Sequence, residues 1–295
     1  MEANTLRYIG AVYRPPSEAE SLIIQATIGC NHNKCTFCGS YRDKTFRIRS
    51  LEDITRDLEE ARHIGPVERV FLADGDALCI PQKRLVKILA AVNEYFPSVR
   101  RIGIYANAKN ILQKTEDNLT ELRELKLGII YMGVETGDKD LLQKICKGAS
   151  YEELVLAAHR VKDAGISLSV TVLLGIGGIH YSERHARNTA AILTEMDPDY
   201  VGALSLILVP GTPLYDEHLK GNFEIPPPFD LIRELRIMIA ESDFTHCVFR
   251  SNHASNYLPL KGTLPRDKRA MLQTIDKVLS ERNSAYLRPE FMRAL

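Results

Sequence analysis

The chain has 295 residues, with lysine plus arginine equal to aspartate plus glutamate at 38 each, so no net charge draws it to nucleic acid or to an anionic membrane. Hydrophobic residues at 45% and charged residues at 26% exclude a disordered chain and are ample for a large core. The start, Met1-Glu2-Ala3-Asn4, has neither the basic residues nor the apolar run of a signal peptide, and no stretch reaches the ~20 apolar residues of a membrane span; a cytoplasmic protein is expected.

In chain order, short apolar runs rich in β-branched residues predict strands at Leu22 to Ile28, Arg69 to Ala73, Arg101 to Tyr105, Gly128 to Val134, Ser167 to Leu174 and Tyr200 to Val209. Between them, helical spacing predicts helices at Leu51 to His63, Gln82 to Tyr95, Asn118 to Leu125, Tyr151 to Ala164 and Ser182 to Met196. Ser50 with Asp53 forms a capping-box-like start to the first of these, and Gly65-Pro66 and Gly165 are stop signals. Repeated β-then-α order makes the fold class α/β, a partial (β/α)6 TIM-like barrel of parallel strands whose functional groups gather at the strands' C-terminal ends. After Pro210 the pattern changes: Pro226-Pro227-Pro228, a helix near Leu231 to Glu241, an irregular stretch from Phe244 to Pro259 and a last helix from Pro265 to Glu281. Residues 1–210 are therefore expected to be the barrel core and 211–295 an α-rich C-terminal cap of the same structural domain.

Of six cysteines, Cys79, Cys146 and Cys247 are scattered, whereas Cys30, Cys35 and Cys38 fall within nine residues directly after the first strand. Clustered thiols in a reducing compartment point to metal. Thiolates are the ligands of iron–sulfur clusters, and a loop carrying Gly29, Asn31, Asn33 and Gly39 can wrap one. Three ligands leave a cubane with one open iron, a place for chemistry. Zinc held by Cys30, Cys35, Cys38 and His32 is the chemically sensible alternative and would make the chain a binding or regulatory protein.

The loop resembles the signature of the radical S-adenosylmethionine (SAM) superfamily, Cys-x3-Cys-x-aromatic-Cys after the first barrel strand, with Phe37 at the aromatic position and a first gap one residue longer. Gly133-Val134-Glu135-Thr136-Gly137 and Leu208-Val209-Pro210-Gly211-Thr212-Pro213 resemble segments of the branch holding oxygen-independent coproporphyrinogen oxidases, methylthiotransferases and Elongator-like barrels. The resemblance implies a [4Fe–4S] cluster on the three cysteines, SAM chelated at the open iron, reductive cleavage to a 5′-deoxyadenosyl radical, sensitivity to oxygen, and flavodoxin or ferredoxin as electron donor. It also implies that Asp74-Gly75-Asp76 holds the SAM amino group, that Glu135 approaches its ribose or methionine end, and that Gly175 and Gly177 let adenine lie against the backbone. Ile179-His180 stands where relatives often carry Glu-Thr.

For each of these a plainer reading stays open: a strand-ending turn for Asp74 to Asp76, a salt bridge for Glu135. Arg47 and Arg49 could grip the SAM carboxylate or an acidic substrate, or be solvated. In the cap, His253 and Tyr257 are candidates to orient substrate or move protons, against a loop that merely bonds to itself. The scattered cysteines argue against a second cluster, and without a basic tail or room for a cobalamin domain a small-molecule substrate is expected rather than nucleic acid.

Overall fold

The computed structural model describes residues 6–294. The chain runs β1 (Leu22–Gln25), β2 (Thr27–Ile28), β3 (Arg47–Ile48), α1 (Leu51–Ala61), β4 (Arg69–Ala73), α2 (Gln82–Tyr95), β5 (Arg101–Ala106), α3 (Ala108–Leu112), α4 (Glu116–Glu124) and β6 (Leu127–Glu135). It continues through α5 (Lys139–Lys144), α6 (Tyr151–Asp163), β7 (Ser167–Leu174), α7 (Gly178–Met196), β8 (Tyr200–Ser205), α8 (Pro213–Leu219), α9 (Pro228–Glu241), β9 (Cys247–Arg250), β10 (Lys261–Leu264) and α10 (Lys268–Glu281). The eight-stranded sheet has the order β1-β4-β5-β6-β7-β8-β9-β10, and β2 and β3 form a separate pair. Two compact units divide the chain. The first holds the chain through Asn33, Ser40–Met132 and His159–Leu168; the second holds Lys34–Gly39, Gly133–Ala158 and the chain from Ser169.

In the first unit β1, β4, β5 and β6 pair in parallel, Leu22 opposite Val70 and Val70 opposite Ile102. Buried on both faces, such strands read as continuous apolar runs, which is why Arg69–Ala73 was visible as Val-Phe-Leu-Ala. Ile23, Phe71, Ala73, Ile129 and Tyr131 form one core cluster. Ser50 caps α1, its hydroxyl accepting from the Asp53 amide at 3.0 Å, as the sequence predicts. The helix itself closes at Ala61, a 3-10 turn carrying the chain on to Gly65. The predicted first strand is broken at Ala26: its last two residues turn away to pair antiparallel with Arg47–Ile48, a two-residue ladder that closes the base of the cysteine loop.

In the second unit β7, β8 and β9 pair in parallel and β10 antiparallel to β9. The extension is thus not α-rich alone, since its irregular stretch contributes β9 and β10 to the sheet. The predicted sixth strand stops at Ser205, and α7 starts four residues earlier than its helical spacing suggests, at Gly178. Gly165, at φ +69°, ends the turn after α6, a left-handed position that suits glycine. On α7 and α9 the buried faces are mostly aliphatic but include His185, Thr189 and Glu234. Buried polar groups of this kind need partners, and their partners lie at the strand ends.

Candidate metal and nucleoside site

Cys30 follows Gly29, whose φ of +75° turns the chain sharply out of β2. The loop's two roots are gathered by Asp74, at the end of β4. Its carboxylate is fully buried and accepts from the Gly29 amide at 3.0 Å, from Gln25 Nε2 at 3.0 Å and from Lys44 Nζ at 2.9 Å, while its own amide donates to Thr27 Oγ1. The Ala73–Asp74 peptide bond is cis. A β-carbon on Gly75 would stand 2.5 Å from the Tyr41 ring and 2.9 Å from Cys30 Cβ, so only glycine lets this turn lie against the first cysteine. Asp76 accepts from the side chains of Asn107 and Asn110, and Asn107 also donates to Asn31 Oδ1 at 3.1 Å, directly beside Cys30.

Through one carboxylate oxygen each, Asp74 and Asp76 hold neighbouring protein groups and anchor the loop, while Asp74 Oδ1 is buried with no hydrogen-bond partner. Asn107, the residue after β5, escaped the sequence reading. Its signal was present as an asparagine at once terminating a strand and capping the next helix, where it accepts from the Asn110 amide at 2.9 Å. Arg47 is exposed, whereas Arg49 is buried and spent on Asp57 and on the carbonyl of Gln25 at 2.8 Å. Burial pushes the Cys79 thiol up to about 12, with the Asp76 and Cys30 charges adding to it, so it keeps its proton and is a poor ligand.

In the second unit the segment between the other two cysteines is fastened at consecutive residues. Thr36 donates its amide to Ile145 O at 2.9 Å and accepts from the Leu214 amide at 3.0 Å. Phe37 packs against the cluster of Ile145, Leu173, Ile176 and Leu206. The ring thus anchors the loop between Cys35 and Cys38. Glu135 ends β6 in the left-handed region at φ +68°, unusual for a residue with a side chain and costing about 1–3 kcal/mol, the kind of strain that marks functional positions. Its carboxylate lies 2.9 Å from Lys147 Nζ, both side chains being 11% exposed. Gly133 leaves room for that pair, since a β-carbon there would meet Glu135 Oε1 at 2.2 Å.

Gly175, at φ +84°, has its open side filled by Leu231, whose Cδ2 would stand 2.8 Å from a β-carbon; Gly177 faces His185 and the backbone of Tyr181 at 3.1 Å. His253 Nδ1 is bonded to Ser255 Oγ at 2.9 Å and accepts from the Ser255 amide at 3.1 Å; burial, then the Arg288 charge, lower its pKa. Tyr257 donates to Glu290 and lies under Arg293 at 4.1 Å from the ring centroid, with burial followed by the Glu290 hydrogen bond pushing the phenol up to about 12. Both residues are knotted into the C-terminal chain.

None of the six cysteines is in a disulfide. Among the described residues no three His, Cys, Asp or Glu side chains converge as a ready metal cage. What fits a cluster is the chemistry of the donor set: three thiols in one nine-residue loop, partly exposed, with the backbone pinned at Gly29 before the first and at Thr36 between the other two.

Residues 24–190 match the model of the radical SAM superfamily, and they include the cysteine loop and Glu135. The chain belongs to the radical SAM superfamily. This is an enzyme family that works with a [4Fe–4S] cluster and SAM, and membership leaves the zinc alternative without support. The chain is 22% identical over 162 residues to the heme chaperone HemW of Bacillus subtilis (strain 168), covering 55% of this chain and 42% of that protein. It is 26% identical over 211 residues to a biotin synthase of Nitrosopumilus maritimus (strain SCM1), covering 68% and 60%. Among solved structures, coproporphyrinogen III oxidase (HemN) from Escherichia coli, a radical SAM enzyme, superimposes with a TM-score of 0.55 at 16% identity, over 75% of this chain and 51% of that one. The fold is the α/β partial-barrel class expected from the sequence, and the relatives include the branch that its motifs resemble. The chain matches about half the length of these relatives.

Proposed function

We propose that the chain is a radical SAM enzyme acting on a small molecule, in which Cys30, Cys35 and Cys38 would hold one [4Fe–4S] cluster and leave it open to SAM. The observation that carries this is the pinned three-thiol loop lying within the family-matched residues. Held there and reduced, the cluster would supply the low-potential electron for reductive cleavage of SAM, the chemistry that starts the reaction on the substrate.

This chain's own residues do the positioning. Asp74 fixes the path of the loop through Gly29 and Lys44. Glu135, held by Lys147, offers an acceptor to a ribose hydroxyl or to the SAM ammonium; its strained backbone aims that carboxylate. The segment 211–295 selects the substrate as a cap on the core 1–210, and the part of His253 and Tyr257 is to hold that segment in shape, since both are bonded within it. A low-potential flavodoxin or ferredoxin supplies electrons. Among the described residues no helix is long and apolar enough to cross a membrane, in line with a cytoplasmic enzyme.

The test is anaerobic reconstitution followed by SAM and dithionite. A brown protein with about four irons per chain that releases 5′-deoxyadenosine is expected. A colourless protein with stoichiometric zinc, or an iron protein that leaves SAM intact, would sink the reading.

A further inference from the structure

Three residues on one stripe of α7, Ser182, His185 and Thr189, reach two different strand-end turns. The first turn follows β6. His185 Nδ1 lies 2.8 Å from Thr136 Oγ1 and 3.3 Å from Thr189 Oγ1; Thr136 Oγ1 accepts from the Asp138 amide at 3.0 Å, and Thr189 Oγ1 from the Gly137 amide at 3.1 Å. The Thr136 hydroxyl and the Gly137 amide are thereby tied to α7, as is the Asp138 carboxylate through Arg184 and Asn188. Gly137 is indispensable here, since a β-carbon would fall 2.0 Å from Asn188 O.

The second turn follows β7. Gly175 donates its amide to Glu234 Oε2 at 2.7 Å, and Ser182 donates its hydroxyl to Glu234 Oε1 at 2.6 Å. The carboxylate comes from α9, and Leu231, one turn earlier on that helix, packs on the Gly175 backbone. His185 Nε2 stands 3.8 Å from Glu234 Oε2, too far for a hydrogen bond but in contact, with both side chains at most 1% exposed. Burial lowers the His185 imidazole to about 4 and raises the Glu234 carboxyl to about 7, so near neutral pH the imidazole carries no charge and the pair is not an ion pair.

Such a network, sealed from water and built from groups that are costly to bury, needs a reason beyond stability, because an apolar core of the same shape would hold two helices together as well. We infer that Glu234 and His185 are positioning residues which hold the Thr136–Asp138 and Gly175–Gly178 turns in one fixed arrangement, so that α9, in the C-terminal extension, sets the affinity of the nucleoside site. This rests on the reading that Glu135 and the Gly175 turn face SAM, and it assigns to the extension a part in cofactor binding besides substrate choice. Glu135 cannot keep its left-handed backbone if the residues after it are released. The His185–Thr136 hydrogen bond, with Glu234 packed against the far side of the imidazole, resists that release together with the bonds of Gly137 to Thr189 and of Asp138 to Arg184 and Asn188.

The test uses the full chain, reconstituted anaerobically, with two measurements on Glu234→Ala, Glu234→Gln and the milder Ser182→Ala. Hydrogen exchange without SAM reads the turns directly. Glu234→Ala is expected to speed amide exchange about tenfold in peptides covering 175–178 and also in those covering 136–138, while Glu234→Gln, which retains an acceptor for Gly175, stays within about twofold of wild type. Equilibrium binding of SAM is expected to weaken about tenfold in Glu234→Ala with iron content unchanged, and to recover in Glu234→Gln. Should Glu234→Ala fail to fold, Ser182→Ala must show the same pattern at about threefold. Unchanged exchange at 136–138, or SAM binding equal to wild type in the altered chain, overturns the inference. Wild-type protein that binds no SAM defeats the proposed function instead, and the exchange pattern still judges the coupling.

Discussion

Asp74, at the end of β4, and Glu135, at the end of β6, are both more than nine-tenths buried, yet they are bound in different ways. One oxygen of Asp74 takes three donors, two of them from the roots of the cysteine loop and one from β1, and its backbone is further held by Thr27. Glu135 has Lys147 as its hydrogen-bonded side-chain partner and sits on a strained backbone that others must hold for it. Three donors on one oxygen make Asp74 an anchor of the loop, with its other oxygen, Oδ1, buried and without a hydrogen-bond partner. Glu135, with a single side-chain partner on a costly backbone, is the one proposed to serve a ligand.

The contrast is sharpest against the residues that should abolish chemistry outright. Cys30→Ala, held from the first unit, and Cys38→Ala, held from the second, should each lose the cluster and SAM cleavage completely, read as iron content and 5′-deoxyadenosine; either variant with wild-type values would remove the basis of both assignments. Next, Asp74→Ala strands the buried Lys44 ammonium and should cost about 3–5 kcal/mol in chemical denaturation, a loss seen equally without the cofactor. If it left stability intact and weakened only SAM binding, the roles of the two carboxylates would be exchanged.

The buried pair beneath Glu135 offers a third test, by pH. Glu234 keeps its proton in the fold up to about 7 against 4.5 in the unfolded chain, so it draws stability down as pH rises between those values. His185 is lowered from 6.5 to about 4, so its contribution is whole above 6.5 and is lost as pH falls toward 4. The two slopes oppose each other where they overlap, and the pair's joint contribution to stability should be nearly level from pH 4.5 to 6.5. Glu234→Gln removes one of them, and the variant's stability relative to wild type should then climb by on the order of 3 kcal/mol across that range; a level difference curve would refute the protonation states. The smallest effect is expected at Glu135 itself. Glu135→Gln should weaken SAM about tenfold while shifting the melting temperature little, because the amide still accepts one bond from Lys147. A large loss of stability there would make Glu135 a second Asp74.

The barrel strands and the metal loop were legible because their signals are local. Arg69–Ala73 is apolar after its first residue, Ser167–Leu174 alternates polar and apolar residues before an apolar end, and the three cysteines with Phe37 fit in nine residues. The strands β9 and β10, Cys-Val-Phe-Arg and Lys-Gly-Thr-Leu, are four residues each without clean alternation, and only their pairing makes them strands. Ser182, His185 and Thr189 do carry a visible signal, polar residues at helical spacing on an otherwise apolar face, but their partners lie about fifty residues away, beyond what any periodicity can report. Separations of 8 to 36 residues hid the commitments of Arg49, Asp76 and Tyr257 in the same way: residue type announced a capacity for hydrogen bonding, and only the fold decided who would receive it.

The side chain of Lys44, on the returning arm of the cysteine loop, is 4% exposed and reaches both Asp74 and the Ala11 carbonyl. An amine enclosed in this way should resist acylating reagents in the intact protein and yield as soon as that arm lifts. Mass-spectrometric footprinting at this single lysine would then report, without spectroscopy or oxygen-free optics, whether the loop is seated during cluster loading and decay.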